Sequence, residues 1–181
     1  MRKPAKRPPL DAGALWELAL KTLGARARSS GELRQKLRQR AERPEDVDTI
    51  IDRLKEYRYL DDRKFAESFA TARLENQRFG KRRVVQDLVR RRVAPALAEA
   101  SAGKTYRNID EDALIQDYIR RKYRDKTREG LFREEKDLAA AYRRLLRAGF
   151  QSGSIIRNLK RFAANPELLD GFEPPAEPIE E

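Results

Sequence analysis

An aspartate that follows an apolar residue, with a second apolar residue four places further on, recurs along this chain at nearly equal spacing. The three occurrences are Leu10-Asp11 to Leu15, Leu60-Asp61 to Phe65 and Ile109-Asp110 to Leu114, so the aspartates stand 50 and 49 residues apart. Each is the signature of a helix start. The carboxylate accepts from the free N–H groups of the first turn and sits at the positive end of the helix dipole. The apolar residues before the cap and at the fourth helical position can close as a hydrophobic staple. About 50 residues hold three short helices, so the spacing predicts three tandem three-helix repeats.

The rest of the body agrees. Apolar residues recur at intervals of three and four, as in Leu33 and Leu37, Val47, Ile50, Ile51 and Leu54, Leu114, Ile115, Tyr118 and Ile119, and Ile155, Ile156, Leu159 and Phe162. No stretch alternates β-branched residues, and no Asn-Gly or Asp-Gly turn occurs. Ser29 with Glu32 is a capping box opening a second helix, and Pro44 and Pro95 suit first positions of third helices. Gly24, Pro44, Gly80, Pro95, Gly103, Gly130 and Gly149 read as breaks that cut the body into about nine helices. The predicted fold class is all-α. The boundaries are a basic arm at 1–13, disordered by composition, then units at 14–60, 61–109 and 110–163, and an acidic, proline-rich tail at 164–181.

Charge and missing residue types narrow the function. The chain has 41 Lys and Arg against 30 Asp and Glu, for a net +11, and the arm and tail leave +14 on residues 14–163. That excess of one sign points to a polyanionic partner or an acidic protein surface. With no Cys and no His there is no thiolate or imidazole zinc site and no Ser-His or Cys-His nucleophile. The expectation is a non-enzyme that needs no cofactor and no metal. No apolar run reaches membrane-spanning length, and the reading is of a soluble cytoplasmic protein with no membrane partner.

Three motifs invite a chemical reading and lose it. Asp61-Asp62 could bind a metal, but adjacent acids at a helix start point apart, and capping explains them better. Ala98-x4-Gly103-Lys104-Thr105 loosely matches a phosphate-binding loop, yet no strand precedes it, so it reads as an exposed turn. Trp16, Tyr57, Tyr59, Phe65, Phe69, Tyr118, Tyr142 and Phe150 could stack on bases, but their spacing assigns them to the core. The basic clusters remain. Lys81-Arg82-Arg83, Arg90-Arg91 and Arg120-Arg121-Lys122 with Arg124 are the candidate partner-binding residues, followed by Arg143, Arg144, Arg147, Arg157, Lys160 and Arg161.

Arg28-Ser29-x-x-Glu32-Leu33-x-x-x-Leu37, Leu60-Asp61-Asp62-x-x-Phe65-Ala66 and Gly80 with the basic and apolar residues after it resemble the RecX family of RecA regulators. The likeness covers roughly 14–163 and is strongest over 28–90. It departs from the family at Arg40-Ala41 and Arg92-Val93, where the second helices lack the usual terminal glycine, while Ala148-Gly149-Phe150 keeps it. The resemblance implies an elongated, curved helical array that binds the RecA nucleoprotein filament as a monomer. It also implies restraint of strand exchange, ATP hydrolysis and co-protease activity, in homologous recombination, DNA repair and the SOS response. The alternative is a nucleic-acid-binding protein, sequence-nonspecific or helix-turn-helix-like, that takes single- or double-stranded DNA directly.

Overall fold

The computed structural model describes residues 8–123, 132 and 134–163. Among the described residues there are nine helices: α1 Ala12–Ala25, α2 Ser30–Arg38, α3 Pro44–Glu56, α4 Asp62–Gln77, α5 Lys81–Arg90, α6 Pro95–Tyr106, α7 Glu111–Lys122, α8 Glu135–Arg147 and α9 Ser152–Phe162. The only extended pairing among those residues is two single-residue bridges, Leu10 with Ala41 and Phe132 with Ala163. The all-α expectation holds.

The aspartate caps are where the sequence placed them. Asp11 accepts from Ala14 N at 2.8 Å, Asp61 from Lys64 N at 2.9 Å, and Asp110 from Asp112 N and Ala113 N at 2.9 and 3.3 Å. Asp62 points elsewhere: its carboxylate accepts from the backbone N–H of Ser30 at 2.7 Å and from the Ser30 hydroxyl, so it caps α2 from another helix. No cluster of three or more metal-ligating side chains occurs among the described residues.

The residues form two compact units, and α4, α5 and α6 each contribute to both. The first unit holds residues 8–69 and 87–101 of the described chain. Its core is Leu15 and Ala19 of α1, Leu33 and Leu37 of α2, Val47, Ile50, Ile51 and Leu54 of α3, and Leu60. The second unit holds 70–86 and the described residues from 102 onward. Its core is built on α7, α8 and α9, through Ile115, Ile119, Leu138, Tyr142, Leu145, Ile155 and Leu159, with Leu74, Phe132 and Phe150 packed among them. On α2, α3, α7, α8 and α9 these are the apolar stripes that the three-and-four spacing marked out. On α4 the spacing pointed to Phe65, Phe69 and Ala72, but the buried positions are Ala66, Ala70 and Leu74, with the two rings only partly buried and Ala72 exposed.

Each unit contains one close backbone junction at the start of a middle helix. In the first, a Cβ on Gly31 would lie 2.4 Å from the carbonyl oxygen of Arg92, just after α5. The Ser29 hydroxyl donates to the carbonyl of Arg91 in the same place. In the second, a Cβ on Gly80 would lie 2.3 Å from the carbonyl oxygen of Gly149, just after α8, and Gly80 N donates to Ala148 O at 2.8 Å. Gly149 itself has φ +92°, the left-handed conformation that ends a helix.

Several expectations need correction. Gly24 and Gly103 are not breaks: α1 and α6 run through them. The Gly-Lys-Thr turn is instead the last part of α6, because Ala98, Ser101 and Ala102 form a small buried stripe at helical spacing that carries the helix onward. Of the arm expected over 1–13, Leu10 is tied down by Leu10 N to Arg40 O at 2.7 Å and Glu42 N to Leu10 O at 2.9 Å. Residues 1–7, the break at Gly130 and the tail 164–181 lie outside the described residues.

Three stability outcomes follow. Gly31→Ala and Gly80→Ala should each lower unfolding free energy by about 1–3 kcal/mol through backbone overpacking. Gly103→Ala, whose added Cβ meets only Lys81 Nζ at 3.9 Å, should raise it by about 0.5–1 kcal/mol. Denaturant melts of the three variants check the contrast. Asp61→Ala should cost about 0.5–2 kcal/mol by the same measurement.

Candidate partner-binding surfaces

The helix dipole separates the predicted basic clusters. Arg120, Arg121 and Lys122 occupy the last turn of α7, where cations favour the negative end of the helix, so part of their presence is structural. Lys81, Arg82 and Arg83 occupy the first turn of α5, which contains no acid. Three cations there oppose the dipole, at about 0.3–1 kcal/mol each when exposed. Helix stability does not explain them. Arg90 ends α5 with Asp87 3.6 Å away, and Arg91 follows it in the first unit. Arg124 lies outside the described residues, as do Lys126 and Arg128.

The second unit gathers cations around aromatic rings. One cleft is lined by Phe79, Arg83, Tyr118, Lys122, Arg144, Arg147 and Ala148. The Arg83 guanidinium lies 5.6 Å from the Phe79 ring centroid and donates to the carbonyl of Arg147 at 3.3 Å. Phe79 is fixed in turn by the Tyr106 hydroxyl, which donates to its carbonyl at 2.6 Å. Tyr118 packs edge-on against Phe150 at 5.7 Å. Burial pushes the Tyr118 phenol above its ordinary value, while the charges of Arg144, Arg147 and Arg83 pull it the other way. Several guanidinium groups thus bear on one small apolar floor. Among the described residues no carboxylate lines this cleft. Arg83 and Lys122 came from different predicted clusters, and Arg144 and Arg147 from the secondary one. Arg82, Arg120 and Arg121 are exposed outside the cleft.

The first unit has a different arrangement. Leu23, Arg26, Arg28, Arg58, Tyr59, Asp61, Lys64, Phe65, Phe69 and Arg91 are among the residues that line a second cleft. Phe65 and Phe69 lie nearly parallel, centroids 6.1 Å apart, and the Arg91 guanidinium stands 4.9 Å over Phe69. Glu32 holds Arg26 at 3.2 Å and Arg91 at 3.4 Å. The capping-box glutamate is therefore spent on positioning two cations.

The sequence missed this cleft because it assigned the aromatics to the core. Tyr118, Tyr142 and Phe150 are buried, and Trp16, Phe65 and Phe69 are partly buried, but Tyr57 and Tyr59 are 57% and 60% exposed. The helical period that would bury them stops at Glu56. Tyr57 caps α3, and Arg58 turns the chain at φ +59°, so Tyr59 faces away from the stripe. Tyr57 meets Trp16 edge-on at 6.1 Å, with Arg53 4.7 Å over the indole. The signal available in the sequence was the pair of tyrosines flanking Arg58 past the last apolar position of α3.

The chain is similar to known proteins in sequence and in fold. Residues 16–54 match the family model described as RecX, first three-helix domain, and residues 61–101 match RecX, second three-helix domain. The Regulatory protein RecX of Deinococcus radiodurans is 34% identical over 145 residues, covering 79% of this chain and 65% of that protein's length. The Regulatory protein RecX of Trichlorobacter lovleyi is 30% identical over 105 residues, covering 58% of this chain and 68% of the relative. The crystal structure of RecX from Lactobacillus salivarius superposes with a TM-score of 0.62 at 20% identity, over 83% of this chain and 96% of that one, a likeness of fold. No described helix is long and apolar enough to cross a membrane.

The burial pattern makes a stability prediction. Tyr59→Ala should leave unfolding free energy within about 0.5 kcal/mol, as for an exposed side chain. Tyr118→Ala should cost about 3–5 kcal/mol, as for a buried aromatic. Thermal or chemical melts of the two variants distinguish the surface ring from the core ring.

Proposed function

Because the chain belongs to the RecX family, whose members are regulatory proteins rather than enzymes, we propose that it binds the RecA recombinase or its nucleoprotein filament. In this reading it lowers recombinase, ATPase and co-protease activities in the cytoplasm, during DNA repair, homologous recombination and the SOS response. It acts by binding alone. A ligand shifts a filament equilibrium only by its differential affinity for the two states. Three sequential three-helix units, 14–60, 61–109 and 110–163, offer contacts to more than one neighbouring protomer.

The observation that carries the reading is the gathering of cations beside aromatic rings, with Arg83, Lys122, Arg144 and Arg147 as its clearest case. We assign partner contacts to Lys81, Arg82, Arg83, Arg90, Arg91, Arg120, Arg121 and Lys122, and add Arg144 and Arg147 of the second unit's cleft and Arg58 and Lys64 of the first unit's. An acidic protein surface meets such a face by charge complementarity, which governs encounter rate and orientation. Direct DNA binding is the second reading, favoured by exposed Tyr59 beside Arg58 and Lys64, since aromatic rings flanked by cations also suit single strands.

Charge reversal separates the two. Arg144→Glu with Arg147→Glu, and Arg58→Glu with Lys64→Glu, should each raise the concentration needed to inhibit RecA's DNA-dependent ATPase by ten-fold or more. Circular dichroism should show the helices intact. Naked DNA should bind weakly in every form. Tight DNA binding by the unmodified chain, with a log–log salt slope of about −0.7 per phosphate on single strands that flattens in the variants, would instead establish the second reading. Parent-like inhibition by both variants would remove these faces from the contact.

A further inference from the structure

We propose that the acidic segment 164–181 of this same chain docks intramolecularly on the cationic cleft of the second unit and competes there with the external partner. The proposal rests on the reading of that cleft as a partner surface, but its test does not involve the partner.

Charge and side-chain type are complementary. The cleft sets Arg83, Lys122, Arg144 and Arg147 around the rings of Phe79 and Tyr118. Residues 164–181 carry six acids and no base, and Leu168, Leu169 and Phe172 are interleaved with Glu167, Asp170 and Glu173. Carboxylates flanking apolar groups are what a floor of aromatic rings rimmed by guanidinium groups accepts. Arginine forks also bind carboxylates in two-point geometry.

Connectivity favours the contact. The segment leaves α9 after Ala163, which belongs to the same unit as the cleft. Eighteen extended residues reach at most about 60 Å, longer than a small domain is wide. Covalent attachment through a short tether sets an effective concentration in the millimolar range. Weak individual carboxylate contacts then suffice for substantial occupancy. Among the described residues no carboxylate lines the cleft, and residues 164–181 carry six acids on the same chain.

Zero-length carbodiimide coupling tests the contact on the isolated full chain, because it joins only a carboxylate and an amine that touch. Among the described residues, Lys122 is the one lysine lining the cleft. The expected product is a monomeric species in which Glu167, Asp170 or Glu173 is joined to Lys122, mapped by peptide mass spectrometry. Its yield should fall at least five-fold between 50 and 500 mM salt. It should fall equally in Arg144→Gln with Arg147→Gln. Should that double variant lose its helical signal, millimolar synthetic peptide 164–181 added to the unmodified chain should compete the coupling away. Coupling spread evenly over Lys81, Lys104, Lys122 and Lys160, or absent, would overturn the proposal. So would a yield indifferent to salt and peptide. The cross-link can fail while filament inhibition stands, and can succeed where inhibition fails, so the two readings fall separately.

Discussion

Backbone-to-backbone contact at the starts of α2 and α5 is the constraint on which the remaining structure depends. Gly31 faces the carbonyl of Arg92, and Gly80 faces that of Gly149, each so close that no Cβ fits. A contact of this kind fixes position more tightly than side chains can, because neither partner has a rotamer to change. Everything near it is then determined. At the first junction Ser29 both caps α2, accepting from Glu32 N at 3.0 Å, and donates to the carbonyl of Arg91. Asp62 caps the same helix from α4. At the second junction, Gly149 presses on the backbone of Arg83, and Arg83 reaches to the carbonyl of Arg147. The junction that seats α5 thus also delivers one of the cleft's cations.

The parts of this architecture that were legible in the sequence are the local ones. An aspartate cap satisfies N–H groups within three residues, and an apolar stripe is written at intervals of three and four, so Asp11, Asp61, Asp110 and the core stripes could be read directly. The junction was not legible, because nothing near Gly31 in sequence reveals that Arg92 lies across from it. Gly24 and Gly103 illustrate the same limit from the other side. Isolated glycines resemble breaks, yet here a buried small-residue face or an ordinary helix interior absorbs them. The cation clusters were visible as composition, but only the fold shows that Arg83, Lys122, Arg144 and Arg147 share one cleft while Arg82, Arg120 and Arg121 do not line it.

Exposed aromatics obey the same logic. Tyr57 and Tyr59 continue the apolar spacing of α3 on paper, but the helix ends before them, and their spacing ceases to mean burial. The rings then become available beside cations that are themselves held by neighbours. Glu32 holds Arg26 and Arg91, and Arg53 lies over Trp16. Fixing a long side chain in this way removes much of the rotamer entropy that binding would otherwise cost, on the order of 0.5–1.5 kcal/mol for each immobilised group. Such preorganisation distinguishes a binding face from a merely solvated one.

The helix ends carry that distinction furthest. Glycine is the usual residue where a helix stops in the left-handed conformation, and Gly149 follows the rule at φ +92°. At three other stops the chain places arginine instead: Arg58 at φ +59°, Arg78 at φ +57° and Arg92 at φ +60°. An L-residue with a Cβ is disfavoured there by roughly 1–2 kcal/mol relative to its right-handed conformation. The missing glycine at Arg92 is therefore no change of backbone, since arginine adopts glycine's conformation at a cost. In return each arginine projects from a rigid turn. Arg58 lines the aromatic cleft of the first unit, and Arg92 donates to Gln35 at 2.7 Å. Arg78 stands 3.8 Å from Asp117. Fold stability alone would favour glycine at all three positions. Arginine there accounts for part of the +14 on residues 14–163 as charge placed at strained turns, where it is held in position rather than spread for solubility.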